Sequence, residues 1–199
     1  EKKMKKEKVG LYFGSFNPIH YGHLIVANHI LMNSDLDKIW FVVSPQNPFK
    51  KASELEDNTL RLDLVKLAIE GNENFFASDV EFSLSQPSYT IDTLKVLANL
   101  EPQKEFVIIM GEDNLVNFHK WKNYQEILDN YNIYVYPRQG IDNTETPQHP
   151  NIHLIDAPTI NISSTYIREL IAQGKDIRYL LPENVRKKLV SLHLYGVTK

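Results

Sequence analysis

The sequence predicts an α/β fold, a doubly wound parallel sheet with helices on both faces. Buried strands of such sheets are continuous apolar runs, and runs of this kind occupy residues 9–13, 39–43 and 106–109. Segments with helical apolar periodicity lie between them, as this class requires. No glycine-rich dinucleotide fingerprint follows the first run, so the common NAD-binding version is not expected. A length of 199 residues with 42% hydrophobic content suits one domain with a substantial core.

Composition and charge exclude several functional classes. The formal net charge of −3 gives no indication of binding to nucleic acid or to an anionic membrane. The absence of cysteine rules out a disulfide framework and fits a reducing compartment. No apolar run is long enough to span a membrane, and the N-terminus lacks the apolar core of a signal peptide. We therefore expect a cytoplasmic enzyme whose lysine-rich residues 1–7 form a disordered or non-native tail, and the sequence leaves open whether the residues before Met4 are native.

The most informative stretch is residues 10–24, where a strand passes into a helix. Gly14 ends the first apolar run, residues 15–18 have turn composition, and a helical pattern begins at Gly22. His20 and His23 therefore stand at a helix start, where unpaired backbone N–H groups and the helix dipole suit a phosphate. A histidine pair can also be surface decoration or half of a zinc site. Zinc would need further ligands, and no cysteine supplies them.

The rest of the chain continues the alternation of strands and helices. Gly111 and Asp113 directly follow the third apolar run, where open α/β sheets place ligand-binding loops. Between the second and third apolar runs we predict a helix capped by Asn58 and ending near Gly71, strands near 75–76 and 80–82, and a helix opened by 88–94. After the third run we predict a short helix beginning at Trp121, a strand at 133–136, a loop over 139–151, a strand at 152–155 and a final helix starting at 181–183.

A second strand–helix junction lies at residues 161–168. Ser163, Ser164 and Thr165 stand at the start of a helix predicted to run to about Ala172. Helix capping alone would explain one hydroxyl residue. The surplus hydroxyls and exposed N–H groups can form an anion cradle, with Arg168 one turn further along as a clamp.

These two junctions resemble the motifs of one superfamily. GSFNPIHYGH at 14–23 follows the G-x-F-x-P-x-H-x-G-H form of the (H/T)xGH nucleotidylyltransferase signature, and ISSTYIR at 162–168 matches the superfamily's I-S-S-T-x-I-R motif. Four further stretches resemble bacterial nicotinate-nucleotide adenylyltransferases: PQNPFK at 45–50, SYTIDTL at 88–94, IMGEDNL at 109–115 with Trp121 following, and RYLLPENV at 178–185. Two positions depart from the pattern. Phe49 stands where histidine is common, and Lys122 where an aromatic residue often follows the tryptophan.

The resemblance covers nearly the whole chain and implies a single nucleotidylyltransferase domain over residues 1–199. It implies a Rossmann-like fold in which the helical part at 160–199 completes the ATP site. The implied reaction transfers AMP from ATP to nicotinic acid mononucleotide, giving nicotinic acid adenine dinucleotide and pyrophosphate in NAD biosynthesis. Mg²⁺ is expected through the ATP phosphates, without metal ligands from the protein.

The resemblance also implies roles for individual residues. Catalytic roles fall to His20, His23 and Arg168. The ATP-binding set is Gly14, Ser15, Phe16, His20, His23, Ser163, Ser164, Thr165 and Arg168. The mononucleotide-binding set is Ser15, Lys50, Thr90, Asp113 and Trp121. The same residue types have simpler explanations: Thr90 is also expected to cap its helix, Trp121 can be a core or surface anchor, and Asp113 and Lys50 can be solvated charges.

Other functions remain open at this point. Nicotinamide mononucleotide or phosphopantetheine could be the acceptor, and a cytidylyltransferase would share the histidine motif. A catalytically silent nucleotide sensor is the alternative from a different class. Thr90 and the backbone near Trp121 and Lys122 could supply the donors that select an acid over an amide. The sequence leaves a homo-oligomer open.

Overall fold

The computed structural model describes residues 4–45, 55–141 and 146–197 of the chain. Within them, six strands form one parallel sheet in the order β3-β2-β1-β4-β5-β6. The strands are β1 (Glu7–Gly14), β2 (Lys38–Val43), β3 (Phe75–Ser78), β4 (Lys104–Gly111), β5 (Ile133–Tyr136) and β6 (Ile152–Leu154). The strand β1 begins at Glu7, so the last residue of the expected tail belongs to the sheet.

The strand order reverses between β1 and β4. The chain proceeds outward from β1 to β2 and β3, crosses back to β4 beside β1, and proceeds outward again to β5 and β6. In the resulting register, Leu11 of β1 lies opposite Trp40 on one side and Ile108 on the other. A reversal of this kind opens a crevice at the carboxyl ends of the two central strands, and ligands of open α/β sheets bind there.

Helices cover both faces of the sheet, as predicted. They are α1 (Tyr21–Met32), α2 (Asn58–Ala68), α3 (Thr90–Leu100), α4 (Glu112–Val116), α5 (Tyr124–Asn130), α6 (Ser164–Ala172) and α7 (Glu183–Ser191). Helices α1, α2, α6 and α7 bury their apolar residues in one core, and α3, α4 and α5 bury theirs in a second. Successive strand residues alternate between the cores: Tyr12 and Ile109 contribute to the first, Leu11 and Ile108 to the second. No helix of the described residues is both long and apolar enough to cross a bilayer.

Two predicted elements near α2 and β3 were wrong in detail. The carboxylate of Asp57, not Asn58, caps α2 by accepting the N–H groups of Thr59 and Leu60. Asn58 is the first helical residue, and its amide oxygen accepts a hydrogen bond from Arg61. The predicted strand at 80–82 is a 3₁₀ turn over Val80–Ser83. Three alternating residues are too few to distinguish the two structures.

The segment after β4 also differs from the prediction. The short helix α4 and a 3₁₀ turn at Phe118–Lys120 precede Trp121, and α5 begins only at Tyr124. Both short elements lie between the third apolar run and Trp121, where the sequence predicts no helix, because each spans fewer residues than two helical turns. Thr90 does not cap α3 with its side chain: it is the first helical residue, and Tyr89 occupies the cap position without a side-chain bond.

Candidate active site

A cavity of about 510 Å³ lies at the carboxyl ends of β1 and β4, at the strand-order reversal. Its walls come from the turn after β1, the start of α1, the segments after β4 and β5, and the approach to α6. The predicted site residues that line it are Gly14, Phe16, His20, His23, Asp113, Ser163 and Ser164. Arg138, which the sequence analysis did not select, lines it as well.

The side chains of His20 and His23 both accept backbone hydrogen bonds at the start of α1. The ring Nδ1 of His20 accepts the N–H of Gly22 at 3.0 Å, and the backbone N–H of His20 donates to Nδ1 of His23 at 3.1 Å. The two rings stack with their centroids 3.7 Å apart. Because Nδ1 accepts a hydrogen bond in each ring, a neutral imidazole must carry its proton on Nε2. Gly22 is needed for this packing, since a Cβ there would lie 2.7 Å from Cε1 of His20.

Burial keeps both imidazoles neutral. It lowers the pKa of His20 to about 4, and it lowers the pKa of His23 well below the usual value. The positive charge of Arg138 shifts both pKa values in the same direction. At neutral pH the cavity therefore presents two uncharged Nε2–H donors of fixed orientation.

The backbone donors at this helix start are already engaged. The N–H of Tyr21 donates to the carbonyl of Leu180 at 3.0 Å, and the N–H of Gly22 is held by His20. The prediction of unpaired backbone N–H groups here was therefore wrong for these two residues. The histidine side chains that cap the helix replace them as donors to a ligand.

The second motif docks onto the turn of the first. Ser163 caps α6 by accepting the N–H of Tyr166, as predicted. The hydroxyl of Ser164 donates to the carbonyl of Pro18 at 2.9 Å. Arg168 donates through Nη1 to the carbonyl of Asn17 at 2.8 Å and through Nη2 to the hydroxyl of Thr165 at 3.3 Å. Two motifs that are over 140 residues apart in sequence thus form one structural unit.

Thr165 and Arg168 do not line the cavity, although both belong to this unit. Arg168 uses two of its five N–H donors in the contacts to Asn17 and Thr165. Its position as the tie between α6 and the turn after β1 was not foreseen, because a sequence does not show which backbone carbonyl a guanidinium will reach.

Asp113 and Arg138 form the opposite wall of the cavity. The Nε of Arg138 lies 3.6 Å from a carboxylate oxygen of Asp113, and the backbone N–H of Arg138 donates to Glu112 at 3.0 Å. A Cβ at Gly111 would lie 2.5 Å from that oxygen of Asp113, so the glycine permits the close approach. Arg138 comes two residues after β5, at the same edge of the sheet as Asp113. That placement is the sequence signal that could have identified it.

Thr90 and Trp121 lie outside the cavity, on the side of the sheet that α3 covers. Lys122 ties their two segments together: its Nζ lies 3.2 Å from the carboxylate of Asp92 and 4.7 Å from the ring centroid of Tyr89. The ring of Trp121 packs edge-on against Phe118. Within the described residues, the N–H groups of Thr90 and Ile91 have no hydrogen-bond partner.

One further predicted residue, Ser15, does not line the cavity. The backbone carbonyl of Ser15 accepts a hydrogen bond from Arg61 at 2.5 Å. Lys50 lies outside the described residues.

Comparison with known proteins agrees with this geometry. A family model described as cytidylyltransferase-like matches residues 11–170. A protein of Cytophaga hutchinsonii, named probable nicotinate-nucleotide adenylyltransferase, is 51% identical over 95% of this chain and 98% of its own length. A protein of Flavobacterium johnsoniae with the same name is 55% identical over 89% of this chain and 93% of its own length. The chain belongs to the nicotinate-nucleotide adenylyltransferase family.

The family assignment makes the chain a nucleotidyltransferase, as the resemblance implied. A solved structure supports the fold independently. A nicotinic acid mononucleotide adenylyltransferase of Plasmodium falciparum superposes with a TM-score of 0.79 over 96% of this chain and 98% of its own. Its sequence is 21% identical, and its structure is described as a complex with NaAD.

Proposed function

We propose that this chain transfers AMP from ATP to nicotinic acid mononucleotide. A phosphate oxygen of the mononucleotide forms a bond to the α-phosphorus of ATP, the bond from that phosphorus to the bridging oxygen breaks, and pyrophosphate leaves. The observation that carries the proposal is the pair of neutral, oriented Nε2–H donors of His20 and His23 in the crevice. Such donors stabilise the negative charge that spreads over the phosphate oxygens during the transfer, and they form no covalent intermediate with the substrate.

The ATP phosphates would lie between the histidines and α6. Ser163 and Ser164 line the cavity there, and Thr165 and Arg168 follow in the first turns of α6. Arg168 retains three N–H donors beyond its two intramolecular bonds, which is enough to contact a phosphate as well. Gly14, Ser15 and Phe16 would carry the α-phosphate on the backbone of the turn after β1.

Arg138 adds a cation that the sequence analysis did not assign. Its partner Asp113 is at 3.6 Å, and the pair is half-exposed toward the cavity. We assign Asp113 to the ribose hydroxyls of the mononucleotide and Arg138 to phosphate charge on the same wall. The positive charge of Arg138 adds to the effect of burial in lowering the pKa values of the histidines, and a bound polyphosphate would offset that charge.

Mg²⁺ would enter with ATP. No group of three or more potential ligands that could hold a metal ion occurs in the described residues, and Asp113 in the cavity wall faces Arg138. This arrangement fits a metal that is carried by phosphate oxygens and that neutralises their charge during the transfer. The protein's part is to position the phosphates around it.

The nicotinate ring would lie at the start of α3. The unpartnered N–H groups of Thr90 and Ile91 and the positive end of the helix dipole suit its carboxylate. Trp121 offers a flat surface for the ring, and Lys122 links the two segments. Lys50, which we place between the charges of the two substrates, is assigned on the family motif alone.

Turnover decides between this function and its alternatives. The direct test is a mass-spectrometric assay with ATP and a panel of acceptors: nicotinic acid mononucleotide, nicotinamide mononucleotide and phosphopantetheine. We expect the dinucleotide of the acid and pyrophosphate in equal amounts. Exclusive turnover of another acceptor would replace the substrate assignment, and ATP binding without any turnover would identify a sensor.

The absence of cysteine also fits the cytoplasmic location that we propose.

Replacing Arg168 tests the phosphate cradle. Arg168→Ala should raise the KM for ATP about 10- to 100-fold, because a charged hydrogen bond to phosphate contributes roughly 1.5–3 kcal/mol. The KM for the mononucleotide should change less. Arg186→Ala is the matched control: Arg186 pairs with Glu183 on α7, away from the cavity, and its loss should leave both constants unchanged. An effect on the mononucleotide alone would assign the cradle to the other substrate.

A further inference from the structure

The guanidinium of Arg61 is fully buried beneath the candidate site. Arg61 has a relative exposure of 0% and is among the largest completely buried side chains of the protein. In the described residues its hydrogen bonds go to three backbone carbonyls and one amide oxygen, and none goes to a carboxylate. Burying a cation without such a partner is costly, so packing alone does not account for this residue.

The acceptors of Arg61 come from three separate segments that end at the crevice edge. Nη1 donates to the carbonyl of Ser15 after β1 at 2.5 Å and to the carbonyl of Ser44 after β2 at 2.8 Å. Nε donates to the carbonyl of Glu56 at 2.9 Å and Nη2 to Asn58 at 2.6 Å, both at the start of α2. One side chain thus fixes the turn after β1 relative to its neighbours.

The contact with Ser15 determines the direction of the next backbone donor. The peptide bond between Ser15 and Phe16 is trans, so its N–H points opposite to its carbonyl. With the carbonyl held by Arg61, the N–H of Phe16 points away from Arg61. This N–H has no hydrogen-bond partner among the described residues, and Phe16 lines the cavity.

The turn itself needs external support. Phe16 has φ 46°, in the left-handed region that non-glycine residues seldom adopt. Its buried ring packs against Tyr12, His23 and Phe41. Arg168 holds the carbonyl of Asn17 at the far end of the same turn. Two guanidinium groups, from α2 and from α6, therefore hold the carbonyls on either side of Phe16.

We infer that Arg61 is a positioning residue that aims the Phe16 N–H at the α-phosphate of the bound nucleotide. The inference rests on the proposed function for the identity of the nucleotide. Arg61 touches no substrate. It acts by fixing a strained turn so that its donor is already oriented when charge develops on the phosphate.

The test compares two variants of α2. Arg61→Lys keeps the charge but cannot reach all four acceptors, and misplacement of a donor by about 1 Å can cost on the order of 100-fold in rate. We expect kcat to fall about 10- to 100-fold, with the KM for ATP changed much less. Leu64→Ala, one turn further along, removes a fully buried core side chain without touching the turn. It should lower Tm by about 5–15 °C and leave kcat within about twofold when measured well below Tm.

A second readout does not depend on turnover. The ¹H–¹⁵N resonance of Phe16 should shift strongly when the unsubstituted protein is saturated with a non-hydrolysable ATP analogue. It should shift little in Arg61→Lys at saturation. If that variant does not fold, Asn58→Ala removes one acceptor of the guanidinium and should lower kcat about three- to tenfold.

The outcomes separate the two proposals. The role of Arg61 would be overturned if the kcat of Arg61→Lys were no lower than that of Leu64→Ala. The same criterion applies to Asn58→Ala where it replaces Arg61→Lys. A Phe16 resonance that fails to shift in the unsubstituted protein or shifts equally in the variant would also overturn that role. Absence of turnover by the unsubstituted protein would overturn the proposed function instead, and the resonance shift would still test Arg61.

Discussion

The starts of α1 and α3 lie at the same edge of the sheet but on opposite faces, and they are built differently. At α1, two histidines cap the helix, and the N–H groups of Tyr21 and Gly22 are already bonded. At α3, no side chain caps the helix, and the N–H groups of Thr90 and Ile91 have no partner among the described residues. The first start therefore offers imidazole donors to a ligand, and the second offers its own backbone.

This difference matches two different tasks. Imidazole Nε2–H groups stand further from the helix, where they can follow charge that spreads over several phosphate oxygens during transfer. Backbone N–H groups are fixed and can only donate. They pair with both oxygens of a carboxylate but leave the NH₂ of a carboxamide unpaired, and so they distinguish the two. We assign acceleration of AMP transfer to the start of α1 and the choice of acceptor nucleotide to the start of α3.

The largest expected effect comes from removing the α1 donors. His23→Ala should lower kcat on the order of 100- to 1000-fold, and His20→Ala somewhat less, because each removes a preorganised donor to developing charge. The KM for the mononucleotide should change little. His29→Ala, on the same helix but outside the cavity, serves as control and should retain kcat within about twofold. Near-normal kcat in both cavity variants would remove the histidines from the mechanism.

The two helix starts should also respond oppositely to pH. Burial lowers the pKa of His20 to about 4, so between pH 6.5 and 4 the unfolded chain binds a proton that the folded chain refuses. The free energy of unfolding then falls as the pH falls, by up to roughly 3 kcal/mol from His20 at 1.36 kcal/mol per pKa unit.

Near α3 the sign is reversed. Glu81 is buried in the segment that leads into the helix, with the hydroxyl of Ser88 at 3.5 Å, and burial raises its pKa to about 7. Between pH 4.5 and 7 the folded chain holds a proton that the unfolded chain releases, so the free energy of unfolding falls as the pH rises. Urea unfolding of the parent chain, His20→Gln and Glu81→Gln across pH 4–7.5 measures both slopes. Because His23 contributes to the same acid slope, His20→Gln should reduce that slope, and Glu81→Gln should reduce the opposite one. A slope left unchanged by its substitution would contradict the assignment.

The fold was predictable because its signals extend over many residues. The apolar runs at 9–13, 39–43 and 106–109 lie in β1, β2 and β4, which form the middle of the sheet with β4 beside β1. The same holds for the histidine motif and the serine motif, whose spacing placed both at helix starts. Short elements such as α4 and the 3₁₀ turn at Val80–Ser83 carry too few residues for a periodic signal.

What the sequence could not show is how polar groups choose their partners. Asp57 and Asn58 are both good caps, and only the structure shows that Asp57 caps α2 while the amide oxygen of Asn58 accepts a hydrogen bond from Arg61. Arg138 follows an ordinary strand, and its place in the cavity depends on the register of β5 against β4. The separation of Thr90 from the histidine cavity likewise follows from which face α3 covers.

The choice of acceptor tests the α3 side of the comparison. A carboxamide at the start of α3 would direct its NH₂ toward N–H groups and leave buried polar atoms unpaired, at roughly 1–3 kcal/mol each. Two such mismatches correspond to about 100-fold, so we expect kcat/KM for nicotinic acid mononucleotide to exceed that for nicotinamide mononucleotide by at least this factor. Competition between the two acceptors in one reaction measures the ratio directly. Equal use of both would indicate a dual-specificity enzyme.

The smallest expected effect isolates a single backbone donor. Thr90 is the first residue of α3, a position where proline is well tolerated because its missing N–H has no helical partner. The preceding Tyr89 is extended, at φ −114° and ψ 147°, as a residue before proline prefers. Thr90→Pro therefore deletes the N–H without breaking the helix, and Thr90→Ala removes the hydroxyl and the γ-methyl group but keeps the N–H. If the N–H holds the carboxylate, Thr90→Pro should reduce the acid-to-amide ratio about tenfold further than Thr90→Ala does, the value of one lost hydrogen bond to a charged group. Equal acid-to-amide ratios in the two variants would indicate that the backbone N–H of Thr90 does not bind the carboxylate.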